Sequence, residues 1–310
     1  HLLRCLGLAG LAVVAASRRK PEAGLGFGAE FVPCDGEHEG AGLDRINPAD
    51  GQVPRAVFYL SAVSSLSAAD ADPERAWRLN TYWPAELARG CAAVGIPFVY
   101  TSTDLVFGSV PPANAARGCY AEADIPSPMG AYGESKRDGE AAVIEAHPGA
   151  LVARLPLLYG DSFGRGLGAS DGLLAAVRAE SRPMLFTDEL RCAMDAQDAA
   201  RALVLFGGCG RGLPELKEAL LADVEGRAGV LHLSGAARLS RAELGMRLLA
   251  RAGLGADQAL AAVRLGTQAD SGHEGKRAKN ACLDSSTARR LLASAGLELE
   301  EDPLEPENRA

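Results

Sequence analysis

Short apolar runs of strand length alternate in the first half of the chain with stretches of helical spacing, and this alternation constrains the fold more than any other feature. The runs are Ala56–Leu60, Pro97–Thr101 and Leu151–Leu155. Between them lie a helical stretch from Pro73 to about Val94, with Pro84 as a kink, and another from Tyr132 to about His147. Runs this apolar predict strands covered on both faces, and strands joined by helices form βαβ units with right-handed crossovers. The expected fold is therefore α/β, a doubly wound parallel sheet.

Leu2 to Leu8 has helical spacing, Gly10 is its C-cap signal, and Leu11 to Ala16 is a short buried strand. The same apolar opening resembles a secretory signal, but its basic cluster Arg18-Arg19-Lys20 follows the run instead of preceding it, and the run is too short to span a bilayer. Glu30–Cys34 is a weak strand candidate, 36–51 reads as loop, and Ser61–Asp72 reads as a small-residue loop. Beyond Tyr159-Gly160, helical patterns at Ser170–Glu180, Ala196–Phe206, Glu215–Asp223 and Ser240–Ala252 are broken by apolar runs at Met184–Phe186, Val230–Leu233 and Ala281–Leu283. The expected organisation is a nucleotide-binding domain over 1–160, a smaller mixed α+β substrate lobe with the last sheet elements over 161–297, and an acidic tail over 298–310.

A net charge of −8 argues against nucleic acid or an anionic membrane as the principal partner and points to small-molecule chemistry. The seven cysteines are odd in number, widely spread and without a C-x-x-C pair, which argues against a disulfide framework and against a metal site. They read as reduced thiols of a cytoplasmic protein.

Chemistry concentrates in two stretches. Val99–Gly108 ends a buried strand in hydroxyls, and Gly130–Lys136 places Tyr132 and Lys136 four residues apart, on one helix face. A phenol near pKa 10 is a poor acid-base catalyst at neutrality unless a cation lowers that value, and Lys136 is the cation at hand. Thr103 could share the hydrogen bond to a substrate oxygen. Taken singly, each feature has a plainer reading. Tyr-x-x-x-Lys is common on helical surfaces, Thr103 could simply end its strand, Arg18-Arg19-Lys20 could be a solvated turn, and Asn80, His147 and His232 read as structural.

Taken together, Ser102–Phe107, Asp124–Pro128, Tyr132-Gly-Glu-Ser-Lys136, Asp138-Gly-Glu140, Arg154–Gly160 and Arg277–Asp284 are similar to the extended short-chain dehydrogenase/reductases, within them to the dTDP-4-dehydrorhamnose reductase branch with its RmlD-like substrate-binding region. That branch also contains the regulatory beta subunit of methionine adenosyltransferase. The resemblance implies a Rossmann-like nucleotide-binding domain and a catalytic trio of Thr103, Tyr132 and Lys136. It implies cofactor contacts from Arg18 and Arg19, at the place where NADP-dependent members read the 2′-phosphate, from the loop Ser61, Ala62 and Val63, and from Tyr132, Lys136, Pro156 and Leu157. Asp104, Val106, Phe107 and Arg277 fall on substrate-binding positions. The implied cofactor is NADP, with NAD as the alternative.

The departure from the family is at the front, where its first strand and glycine-rich turn have no counterpart; Gly7 and Gly10 precede a strand instead of following one. The expectation is a sequence truncated at its N-terminus, with either a gap between the Leu11–Ala16 and Ala56–Leu60 strands or direct pairing of the two. Three functions stay open: an NADPH-dependent reductase of a nucleotide-linked 4-keto-6-deoxy sugar, an NAD-dependent sugar-nucleotide epimerase or dehydratase, and a non-catalytic regulatory subunit. The corresponding partners are a nucleotide sugar, a second copy of the chain, or a methionine adenosyltransferase catalytic subunit.

Overall fold

The apolar runs of the first half form strands in the computed structural model, which describes residues 1–18, 26, 28–34, 53–114, 116, 118–163, 168–208, 229–299 and 304. Helix α1 (Leu2–Leu8) leads through Gly10, whose φ of +72° suits a residue without Cβ, into β1 (Val14–Ser17). β1 pairs in parallel with β2 (Glu30–Pro33), Val14 opposite Glu30. A separate four-stranded sheet contains β3 (Val57–Tyr59), β4 (Phe98–Thr103), β5 (Leu151–Leu155) and β10 (Val230–His232), in the order β10-β5-β4-β3, with β3 and β4 parallel. Among the described residues β1 and β3 are therefore not paired, and no other strand lies on the outer edge of β3. Of the two arrangements expected, direct pairing of these strands is not found among the described residues.

The helical stretch after β3 differs from the reading of its sequence in two ways. Leu66–Ala71, expected as loop, is a helix (α2), with the Ser65 hydroxyl accepting from the Ala68 amide at its start. Where Pro84 predicts a kink, α3 (Pro73–Trp77) passes through a π-helical turn, Arg78–Tyr82, into α4 (Trp83–Ala93). The Trp83 amide reaches five residues back to the Arg78 carbonyl, and Pro84 has no N–H to offer Asn80. The two carbonyls so released are taken by phenols of the sheet, Tyr59 donating to Leu79 at 2.7 Å and Tyr100 donating to Asn80 at 2.6 Å. Tyr59 and Tyr100 are register partners on β3 and β4, with ring centroids 6.2 Å apart.

The described residues pack into two compact units. The first is drawn from His1–Val106, Gly130–Arg154 and Ala200–Leu231, the second from Phe107–Met129, Leu155–Ala199 and His232–Ala310. The core of the first combines Tyr59, Trp83, Phe98, Tyr100, Val143 and Val152, the inner faces of the sheet and of its helices. The second holds two-stranded ladders, β6 (Leu158–Tyr159) with β9 (Met194–Asp195), β7 (Met184–Phe186) with Arg264–Gly266 and β8 (Leu190–Arg191) with Leu239–Ser240, and the amphipathic helices Ala169–Arg178 and Arg241–Arg251. Leu304, inside the expected tail, is buried beside Tyr159, Leu239, Leu244 and Leu248. The run Ala281–Leu283 makes a single bridge, Leu283 to Tyr120. The helix expected at Glu215–Asp223 lies outside the described residues. No helix among the described residues is long and apolar enough to cross a membrane.

Candidate active site

Two elements of the first unit deliver the expected trio. β4 is buried along nearly its whole length and ends at Thr103, where the chain turns into a 3-10 segment, Asp104–Val106. α5 (Ala131–Ala146) carries Tyr132, Lys136 and Glu140 at intervals of four, so all three lie on one buried stripe. The helix start is held by Gly130, at φ +89°, and by Asp70 of α2, whose carboxylate accepts from the Ala131 amide at 3.2 Å. Asp70 thus sets where Tyr132 begins to project.

The structure brings Thr103, Tyr132 and Lys136 together. The Thr103 hydroxyl donates to Asp104 Oδ1 at 3.1 Å and lies beside the Tyr132 phenol. Lys136 Nζ donates to the Thr101 carbonyl at 2.7 Å and lies 4.0 Å from the centroid of the Tyr100 ring. One turn further, Glu140 accepts from Ser102 and, in a two-pronged contact of 2.9 and 2.7 Å, from Arg154. Arg154 has no exposed surface, so this pair is a buried ion pair beneath the trio.

Burial dominates the titration of the site. Desolvation pushes the Tyr132 phenol up to about 12, partly offset by the Thr103 hydrogen bond and reinforced by Asp104. Desolvation also lowers Lys136 to about 7, against the pull of Glu140. The four-residue spacing predicts that Lys136 lowers the phenol. In this arrangement burial outweighs any such effect, because it disfavours both the phenolate and the ammonium.

The residues expected at the cofactor divide between the units. Ser61 and Ala62 are exposed and Val63 is buried, in the loop after β3. Asn80 clamps that loop to α5: its Oδ1 accepts from the Val63 amide at 2.9 Å, and its Nδ2 donates to the Val63 carbonyl and to Ser135 Oγ. Val63 and Tyr132 share one small apolar cluster. Arg18 is exposed at the end of β1, and Arg19 lies outside the described residues. Pro156 and Leu157 belong to the second unit, where the Leu157 carbonyl accepts from Met194.

Of the expected substrate residues, Asp104 and Val106 are buried in the first unit. Phe107 is a fully buried core residue of the second, stacked on Tyr120 with centroids 4.2 Å apart and edge-on to His232. Arg277 lies 6.0 Å over the Phe186 ring and 3.9 Å from Glu189.

Residues 28–301 match the family model described as the RmlD substrate binding domain. The chain belongs to that family. Its match to methionine adenosyltransferase 2 subunit beta of Rattus norvegicus is 39% identical over 149 residues, 43% of this chain and 42% of that protein. The chain thus spans about two-fifths of the length of that relative. A match to the probable low-salt glycan biosynthesis reductase Agl14 of Haloferax volcanii is 28% identical and covers 79% of this chain and 74% of that protein. Among solved structures, dTDP-4-dehydrorhamnose reductase of Bacillus anthracis in complex with NADP superposes with a TM-score of 0.68 at 18% identity, over 94% of this chain and 96% of that one. MoeE5 in complex with UDP-glucose and NAD superposes at 0.68 and 19%, over 97% and 89%. These likenesses establish the Rossmann-like α/β fold of the RmlD family.

Three residues around the trio received no role from the sequence. Arg154 sits in the middle of the apolar run Leu151–Leu155, and a charge there is a signal of a buried partner, which Glu140 turns out to be. Tyr100, which props both Lys136 and the π turn, carried no signal, since a tyrosine in a strand is ordinary core.

Proposed function

We propose that this RmlD-family chain is an NADPH-dependent reductase of a nucleotide-linked 4-keto-6-deoxy sugar. The observation that carries the reading is the convergence, in one unit, of Thr103, Tyr132 and Lys136 with the Ser61–Val63 loop that Asn80 ties to the same helix. The donor set fits the nicotinamide end of the cofactor, since an ammonium has three N–H groups and Lys136 gives one to Thr101, leaving others for ribose hydroxyls. Arg18 would contact the 2′-phosphate, for which a guanidinium suits better than a carboxylate. Bound NADPH supplies the hydride to C4 of the keto sugar.

Tyr132 then passes its proton to the C4 oxygen, so the carbonyl becomes a secondary alcohol and the tyrosine a phenolate. A phenol held near 12 is protonated at neutral pH, the form a reduction needs, and a developing alkoxide is basic enough to take that proton. Thr103 would hold the same oxygen, and protonated Lys136 would stabilise the phenolate. The test is NADPH consumption with dTDP-4-keto-6-deoxy-mannose. Tyr132→Phe should lower kcat roughly 100-fold to 10,000-fold. Undiminished turnover in that variant would sink the mechanism.

A second reading is a regulatory subunit of a methionine adenosyltransferase, favoured by the 39% identity to a protein of that name. It predicts no NADPH consumption, together with co-purification of a methionine adenosyltransferase catalytic subunit. Epimerised product without net change in NADPH would instead favour an enzyme that retains its cofactor.

A further inference from the structure

The spacing of the cysteines argued against a metal site, yet the second unit brings three of them together. Cys119, Cys192 and Cys282 have sulfurs that all lie within 4.8 Å of one another, with Cys192 and Cys282 buried and Cys119 half-buried. None belongs to the trio or to the residues around it.

The backbone that carries them is pinned at each position. Leu190 and Asn280 form a parallel bridge, with Leu190 receiving the Ala281 amide and donating its own to the Lys279 carbonyl. Cys192 and Cys282 lie two residues beyond these bridge partners. Asn280 also accepts from the Cys282 amide at 3.0 Å and donates to the Gly118 carbonyl at 2.8 Å. The Tyr120 amide, just past Cys119, donates to the Cys282 carbonyl at 2.8 Å. Close to this cluster, a Cβ on Gly118 would come within 3.2 Å of the Arg238 guanidinium, whose charge favours the thiolate of Cys119.

We propose that Cys119, Cys192 and Cys282 form a binding site for a thiophilic d10 cation, zinc(II) or copper(I). Metal–sulfur bonds of about 2.3 Å place the sulfurs of a shared ion roughly 4 Å apart, close to the spacing already present. Soft thiolates select these ions over magnesium or calcium. Three thiolates leave a net negative charge on either ion, which Arg238 is placed to offset. The partly exposed Cys119 gives a path of entry for the ion and, for zinc, for a fourth ligand from solvent. Joining three segments far apart in sequence, the ion would tie the second unit together.

The test uses the full chain, reduced and freed of metal. Cobalt(II) should give a thiolate-to-metal charge-transfer band that saturates at one ion per chain. Zinc(II) should erase that band, and copper(I) presented with a competing chelator shows which of the two ions is held more tightly. Cys192→Ser and Cys282→Ser should lose the band, whereas Cys5→Ser and Cys34→Ser should keep it. Because a buried substitution can impair folding, a second measurement uses the unaltered protein: zinc or copper(I) should slow alkylation of Cys119 at least 10-fold without slowing that of Cys5. A band that survives Cys282→Ser overturns the proposal, as does a Cys119 alkylation rate indifferent to both metals. Air oxidation that joins two of the three thiols at the same rate with and without metal also overturns it, in favour of a redox pair.

Discussion

Lys136 carries a titratable amine into a site with almost no solvent, and burial lowers it from its ordinary 10.5 to about 7. Between those values the unfolded chain holds a proton that the folded chain has released, so this residue makes stability rise with pH across that window and fall as pH drops through 7. The slope from one group is at most about 1.4 kcal/mol per pH unit. Urea unfolding of the parent should therefore strengthen, relative to Lys136→Met, between pH 7 and 9.5. Parallel curves for the two proteins over that range would show that the amine is not desolvated. The Tyr132 and Lys136 pair was legible at this scale because a four-residue spacing survives any tertiary arrangement. Their titration was not, since it depends on how much water the surrounding fold excludes.

At the scale of elements, the helix from Pro73 to Ala93 and α5 meet at a point where backbone must approach backbone. A Cβ on Gly139 would lie 2.1 Å from the Asn80 carbonyl oxygen and 2.5 Å from Tyr100 Oη, neither of which can withdraw without breaking the bond between them. Gly139→Ala should cost about 3 kcal/mol by overpacking, read from chemical denaturation. Tyr100→Phe removes the donor that satisfies the Asn80 carbonyl and should cost roughly 1–3 kcal/mol, with a normal far-UV spectrum. The existence and type of these elements were readable from periodicity, and β5 (Leu151–Leu155) lies where the apolar run placed it. The π turn was not. Pro84 announced a missing amide, but only the phenols of β3 and β4 decide that two carbonyls can be satisfied from outside the helix.

At the scale of the whole molecule, the chain crosses between its two units several times, and the first unit includes Ala200–Leu231. β10, which pairs with β5, is supplied by that late segment. A fragment ending at Gly160, the boundary drawn from sequence, should therefore lack an edge of its sheet and unfold without a cooperative transition, whereas the full chain melts cooperatively. A sharp melt of the fragment by circular dichroism would refute this. The sequence by itself determined the α/β class, the strands and the longer helices around the trio, the family, and the spacing that sets Tyr132 and Lys136 on one face, because these follow from local periodicity and near-neighbour motifs. Tertiary structure alone decided the rest. It placed Phe107 in a core, seated Arg154 on Glu140, had Asn80 bind the Ser61–Val63 loop to α5, and gathered Cys119, Cys192 and Cys282, since each of these depends on contacts between residues remote along the chain, where spacing carries no information.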